Sequence, residues 1–139
     1  MRLVLDADVL IGALDGSDAH HSRARALFTA WHKQDTTCLI SVINLSEVLI
    51  APAADKQRLR RAREAIAALG VAIHQPSEAI AVEAARLRCF HPISLPDAYC
   101  LATARQINAS IASFDQKIIH AARAERIGLA ATPGLETPS

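Results

Sequence analysis

Short apolar runs separated by longer segments of helical periodicity constrain this chain more than any other feature. Arg2-Leu-Val-Leu5, Thr37 to Ile40, Val71-Ala-Ile73 and Ser110-Ile-Ala-Ser113 read as strands. Runs this short and this apolar have no polar face to show water, so they are buried on both sides. Joining them through helices then dictates a parallel sheet with helices on both faces.

The intervening segments supply those helices. Ala7 to Leu14 is helical and is broken by Gly16. Ala19 to Lys33 follows, with Ala24, Leu27, Phe28 and Trp31 at helical spacing. Asn44 to Ala51 stops at Pro52, and Asp55 to Leu69 carries Leu59, Ala62, Ile66 and Leu69 on one side before Gly70 closes it. Ser77 to Phe90, Pro96 to Asn108 and Asp115 to Arg126 complete the set, with Ser77 as a cap. A weaker fifth strand is placed after Gly128. The expected fold is α/β: a single-domain three-layer sandwich, 1–131, with a central parallel sheet of four to five strands and a flexible C-terminal tail, 132–139.

The 139 residues suffice for one buried core, and 51% hydrophobic with 21% charged residues is the balance of an ordinary globular protein. A formal net charge of +1 announces no global polyanion binder, so contact with nucleic acid needs a local basic patch. The three cysteines are odd in number and lack paired spacing, which supports neither a disulfide framework nor a zinc site; they are expected to be buried hydrophobes. Asp6 interrupts the first apolar run, and no apolar stretch is long enough to span a membrane, so a cytoplasmic setting is expected.

Four carboxylates occupy one kind of place. Asp6 ends the first strand, Glu47 and Asp97 sit in first turns of helices, and Asp115 stands between the fourth strand and the last helix. Each also has a local explanation. Asn44-x-x-Glu47 and Ser94-x-x-Asp97 resemble capping boxes, and Asp115 suits an N-cap, where the helix dipole stabilises an acid by roughly 0.3–1 kcal/mol. Asp6 fits capping least well, because it ends a strongly apolar strand.

In an open parallel sheet all strand carboxyl ends face one side, so these acids would converge on a single crevice. Carboxylates packed together raise one another's pKa unless a cation intervenes. Mg²⁺ or Mn²⁺ suits such an oxygen set, and the absence of histidines there argues against zinc. A centre of this kind is fitted to phosphodiester hydrolysis.

Val4-Leu-Asp-Ala-Asp-Val-Leu-Ile11, Val42-Ile-Asn-Leu-Ser-Glu-Val48, Leu95-Pro-Asp-Ala98 and Ile111-Ala-Ser-Phe-Asp115 resemble the four signature blocks of PIN domains, especially VapC-type toxins, in the family's order. The resemblance implies a divalent-metal endoribonuclease, a homodimer held inactive by a cognate antitoxin. By position it implies that Asp6, Glu47, Asp97 and Asp115 are the metal-binding acids, with Asp8 and Ser113 accessory. The division of labour expected for these acids is that Asp6 and Asp97 hold the principal metal, Asp115 assists directly or through water, and Glu47 positions or deprotonates the attacking water, a division the sequence does not fix. Asp8 departs from the Ser or Asn common in the family, and Lys117 stands where many members carry another acid.

Arg58, Arg61, Arg86 and Arg88 are candidates for an RNA- or partner-facing surface, the alternative being solvated helix faces. A different enzyme class competes. Asp6-Ala-Asp8-Val9-Leu10 also resembles the first motif of haloacid-dehalogenase-type phosphatases, in which Asp6 would be the nucleophile and Asp8 the general acid. That reading leaves Glu47 without a role. A non-catalytic scaffold is the third reading.

Overall fold

The computed structural model describes residues 1–130. Its elements run β1 (Arg2–Leu5), α1 (Ala7–Leu14), α2 (His21–Lys33), β2 (Thr37–Ser41), α3 (Val42–Leu49), a single 3-10 turn at Pro52–Ala54, α4 (Lys56–Ala68), β3 (Ala72–His74), α5 (Glu78–Phe90), α6 (Leu95–Gln106), β4 (Ser110–Ala112) and α7 (Gln116–Ala124). The sheet order is β3-β2-β1-β4, and all pairings are parallel.

Alternation along β1 explains the layers. Leu3 and Leu5 point into a core shared with Val9, Leu10, Phe28, Trp31 and Ile66, from α1, α2 and α4. Val4 points the other way, into a second core built with Leu87, Leu101, Ile111 and Ile118, from α5, α6, β4 and α7. The three-layer parallel sandwich is therefore the fold, with both cores fully dry at β1, where Leu3, Val4 and Leu5 are 0% exposed.

Several local expectations are corrected. α3 begins at Val42 rather than Asn44, because Ser41, the last paired residue of β2, accepts the Ile43 N–H with its side chain and caps the helix directly. Asn44 consequently lies inside the helix and is wholly buried. The fifth strand after Gly128 reduces to one parallel bridge, Ile111 to Leu129. Gly70 ends α4 with φ +76°, the left-handed turn its position predicts. Cys38 and Cys100 are buried and free, but Cys89 is exposed. The tail expected over 132–139 lies outside the described residues. Among the described residues, no helix is long and apolar enough to cross a membrane.

Candidate active site

β1 and β4 are neighbours, paired Leu5 to Ala112, yet the chain visits β2 and β3 between them. The connection reverses direction at this pair, and the crevice beyond such strand ends is where open α/β sheets bind ligands. The Asp6 N–H continues the pairing onto the Ala112 carbonyl at 2.9 Å, which sets Asp6 beside Ser113.

Asp6 is 5% exposed, and both of its oxygens are engaged. Oδ1 accepts the Ala7 N–H at 2.8 Å, so Asp6 does cap its helix, contrary to expectation. Oδ2 accepts the Ser113 hydroxyl at 2.7 Å. Burial, followed by the nearby Asp8 charge, pushes the Asp6 carboxyl well above its ordinary value, despite the Ser113 bond and with Asp97 adding to the effect.

Asp8, in the first turn of α1, accepts the Phe114 N–H at 3.0 Å through Oδ2. Its Oδ1 is buried without a partner. Burial is the main cause that raises its pKa to about 6, with Asp115 contributing. Asp115 caps α7 by accepting the Lys117 N–H at 2.8 Å, and its own N–H donates to the Ser113 hydroxyl at 3.0 Å. Ser113 thus ties Asp6 to Asp115.

Glu47 and Asp97 come from the opposite wall. Ser94 and Asp97 form the full reciprocal capping box expected for α6. The Asn44 amide donates to Glu47 Oε1 at 3.3 Å and to the Pro96 carbonyl at 3.0 Å, fastening α3 to α6. Burial raises the Glu47 pKa, the Asn44 bond lowers it, and the charge of Asp97 raises it again. The thiol of Cys100, fully buried beneath, senses Asp6, Asp8, Asp97 and Glu47 together and is pushed upward, first by burial and then by those charges. Capping and functional readings are therefore not exclusive: all four acids are brought to one end of the sheet, and Asp6, Asp97 and Asp115 also cap helices.

Among the described residues, no three His, Cys, Asp or Glu side chains stand as a ready metal-holding group. Capping bonds hold Asp6, Asp97 and Asp115 to the starts of their own helices. The chemistry of the donor set nevertheless fits a hard divalent cation: five acids, no imidazole, and an orphaned buried oxygen on Asp8.

The basic candidates separate. Arg58 and Arg61 line a groove of about 600 Å³ with Ile11, Leu14 and Val48, and Glu47 is part of its wall. Arg88 is exposed on α5. Arg86 is engaged elsewhere: it pairs with Glu83 at 2.7 Å and Glu125 at 2.6 Å, in a network completed by Arg105 and His91. α6 and α7 start at the acids and carry Arg105 and Glu125 at their far ends, about 12–15 Å along at 1.5 Å per residue. This network, with the Arg86 that belongs to it, faces away from the crevice. Sequence reasoning missed it because its bonded partners lie up to 39 residues apart.

The PIN-domain family profile matches residues 3–124, a span that takes in Asp6, Asp8, Glu47, Asp97 and Asp115. The chain belongs to the PIN-domain family. A search of curated proteins returns no match. Among solved structures, the chain is similar to a toxin–antitoxin complex from Klebsiella pneumoniae, at 26% identity and TM-score 0.69, covering 84% of this chain and 89% of that one. It shares its fold with VapC20 of Mycobacterium tuberculosis, described as a sarcin-ricin loop cleaving toxin, at 18% identity, TM-score 0.70 and coverage of 86% and 94%. VapBC2 of Rickettsia felis, bound to a promoter DNA fragment, matches at 17% identity, TM-score 0.73 and coverage of 94% and 98%. PIN domains are nucleases. The phosphatase reading loses its footing here: the family that matches is the PIN domain, and the nucleophile a phosphatase needs, Asp6, is buried with both oxygens hydrogen-bonded.

Proposed function

We propose that this PIN domain is a divalent-metal-dependent endoribonuclease, the toxin of a toxin–antitoxin pair. The observation that carries the reading is the gathering of Asp6, Asp8, Glu47, Asp97 and Asp115 at the carboxyl end of the sheet, in a chain matched to the family over nearly its whole length. Asp6 and Asp97 would hold the principal Mg²⁺ or Mn²⁺, with Asp115 and Asp8 assisting. When bound, such an ion offsets charge on a phosphate oxygen and on the leaving oxygen.

The chain's own groups do the rest. Glu47, held by Asn44 and with its proton affinity raised by burial, orients the attacking water and accepts its proton. The water oxygen bonds to phosphorus as the bond to the leaving ribose oxygen breaks. Ser113 keeps Asp6 and Asp115 in a fixed relation throughout.

The partner reading is supported by the Klebsiella complex and by the groove beside Glu47. An antitoxin segment lying there would cover apolar Ile11, Leu14 and Val48, pair acids with Arg58 and Arg61, and block the crevice. A homodimer would cover exposed Ile50, Val82 and Phe90, which are 72%, 66% and 71% accessible. The cytoplasm, where free cysteines persist and RNA is at hand, is the proposed location.

The test is incubation of the purified protein with mixed RNA, with DNA, and with a small phosphate monoester, in Mg²⁺, Mn²⁺ or EDTA. Metal-dependent internal cutting of RNA supports the reading. Hydrolysis of the monoester alone would return the phosphatase, and cutting of DNA alone would change the substrate.

A further inference from the structure

Arg23, near the start of α2, has its guanidinium carbon 5.7 Å from the centroid of the Phe114 ring. The same ring stacks on His20, with centroids 4.4 Å apart and planes 18° from parallel. Phe114 lies between Ser113 and Asp115, and its N–H is the one bound by Asp8. The residue that carries the arginine therefore belongs to the segment that builds the acidic crevice.

Two further contacts fix α2 against that crevice. His21 Nδ1 lies 2.8 Å from the Gly12 carbonyl. Gly12 lets the helices approach so closely that a Cβ there would meet the Ala24 Cβ at 3.2 Å. The position of Arg23 relative to Asp8 and Asp115 follows from short, packed contacts rather than from a free surface loop.

Arg23 is exposed, and it forms no ion pair among the described residues, whereas Arg86 and Arg105 are both neutralised. Five acids repel a polyanionic backbone, so a nucleic acid needs a cation at the rim to approach. An arginine presents a planar fork that matches two phosphate oxygens, and stacking on an aromatic ring keeps that fork oriented. The ring already carries His20 and Arg23, so it serves the cation rather than a nucleobase.

We propose that Arg23 is a substrate-binding residue that grips the phosphate next to the one cut, on the α2 side of the crevice. The inference rests on the nuclease reading above and adds to it where the strand enters.

The experiment measures binding of a fluorescein-labelled, random-sequence single-stranded RNA by anisotropy over a series of salt concentrations. Cleavage is silenced by carrying Asp97→Asn in every protein, with Arg23→Ala, Arg23→Lys and the neighbouring exposed Arg25→Ala compared with that parent. Arg23→Ala weakens binding on the order of tenfold and lowers the salt slope by about 0.7, the loss of one phosphate contact. Arg23→Lys restores the slope but only part of the affinity, and Arg25→Ala changes neither. With the intact acids, Arg23→Ala raises KM for this RNA by about the same factor and leaves kcat nearly unchanged. An unchanged affinity in Arg23→Ala, or an equal loss in Arg25→Ala, overturns the inference while leaving the nuclease reading in place. A parent that binds no RNA overturns both.

Discussion

The Ser113 hydroxyl donates to Asp6 across 107 positions of sequence, at 2.7 Å, while accepting the backbone N–H of Asp115. One small side chain thereby couples the acid that ends β1 to the acid that begins α7. Ser113→Ala leaves a buried carboxylate oxygen and an N–H without partners, at a cost of about 1–3 kcal/mol. Cleavage falls by about 10–100-fold, as for other supporting groups around metal ligands. Ser113→Thr, which keeps the hydroxyl, recovers most of both. Urea melts and cleavage rates check this, and an alanine variant as stable and active as the parent would refute the coupling.

Asn44 makes the corresponding link on the other wall, between Glu47 on α3 and the Pro96 carbonyl at the start of α6. Asn44→Ala is expected to cost about 1–3 kcal/mol and to slow cleavage, since Glu47 loses its orientation. Asn44→Asp should be worse at neutral pH, because it buries a second carboxylate beside Glu47. Denaturant midpoints for the two variants decide the order.

The Glu125 network predicts an acid-side stability change. Arg86, then His91 and Arg105, hold the Glu125 carboxyl down to about 2, against about 4.3 for a free glutamate. A depressed folded pKa gives stabilisation that is complete above the unfolded value. It is lost as pH falls from about 4.3 towards about 2. Glu125→Gln should cost about 1–2 kcal/mol at neutral pH, kept modest because Arg86 and Arg105 are 39% and 36% exposed. The gap between parent and variant should close as pH drops through that window. A gap that stays constant to pH 2 would contradict the assignment.

The alternation of apolar strands with helices was enough to read the layers, because burial on both faces leaves a signal in each short run. The four acids were legible for a related reason: each follows a strand or opens a helix, and a parallel sheet sends all such positions to one side. Boundaries were less legible. Ser41 and Asn44 are both competent caps, and only the length of the β2 pairing chooses Ser41, which turns Asn44 from a cap into a buried brace. Asp6 was read as a poor cap because it ends an apolar strand, yet its carboxylate accepts the Ala7 N–H. The Ser113–Asp6 bond and the Arg86–Glu125 pair depend on β1 lying beside β4 and on α5 packing near the end of α7. Neither adjacency has a local signature.

The central claim is that the clustered acids make a metal-dependent nuclease, and Asp6→Asn and Asp97→Asn test it most directly. Both proteins are compared with the parent for cleavage of mixed RNA in Mg²⁺ or Mn²⁺, alongside thermal melts in EDTA. Both variants should lose cleavage by at least about 100-fold. They should melt at or above the parent's temperature, because removing one of several repelling carboxylates relieves the folded state. Retained cleavage in either variant, or a large fall in melting temperature that accounts for the loss, would mean the acids are helix caps and the chemistry lies elsewhere.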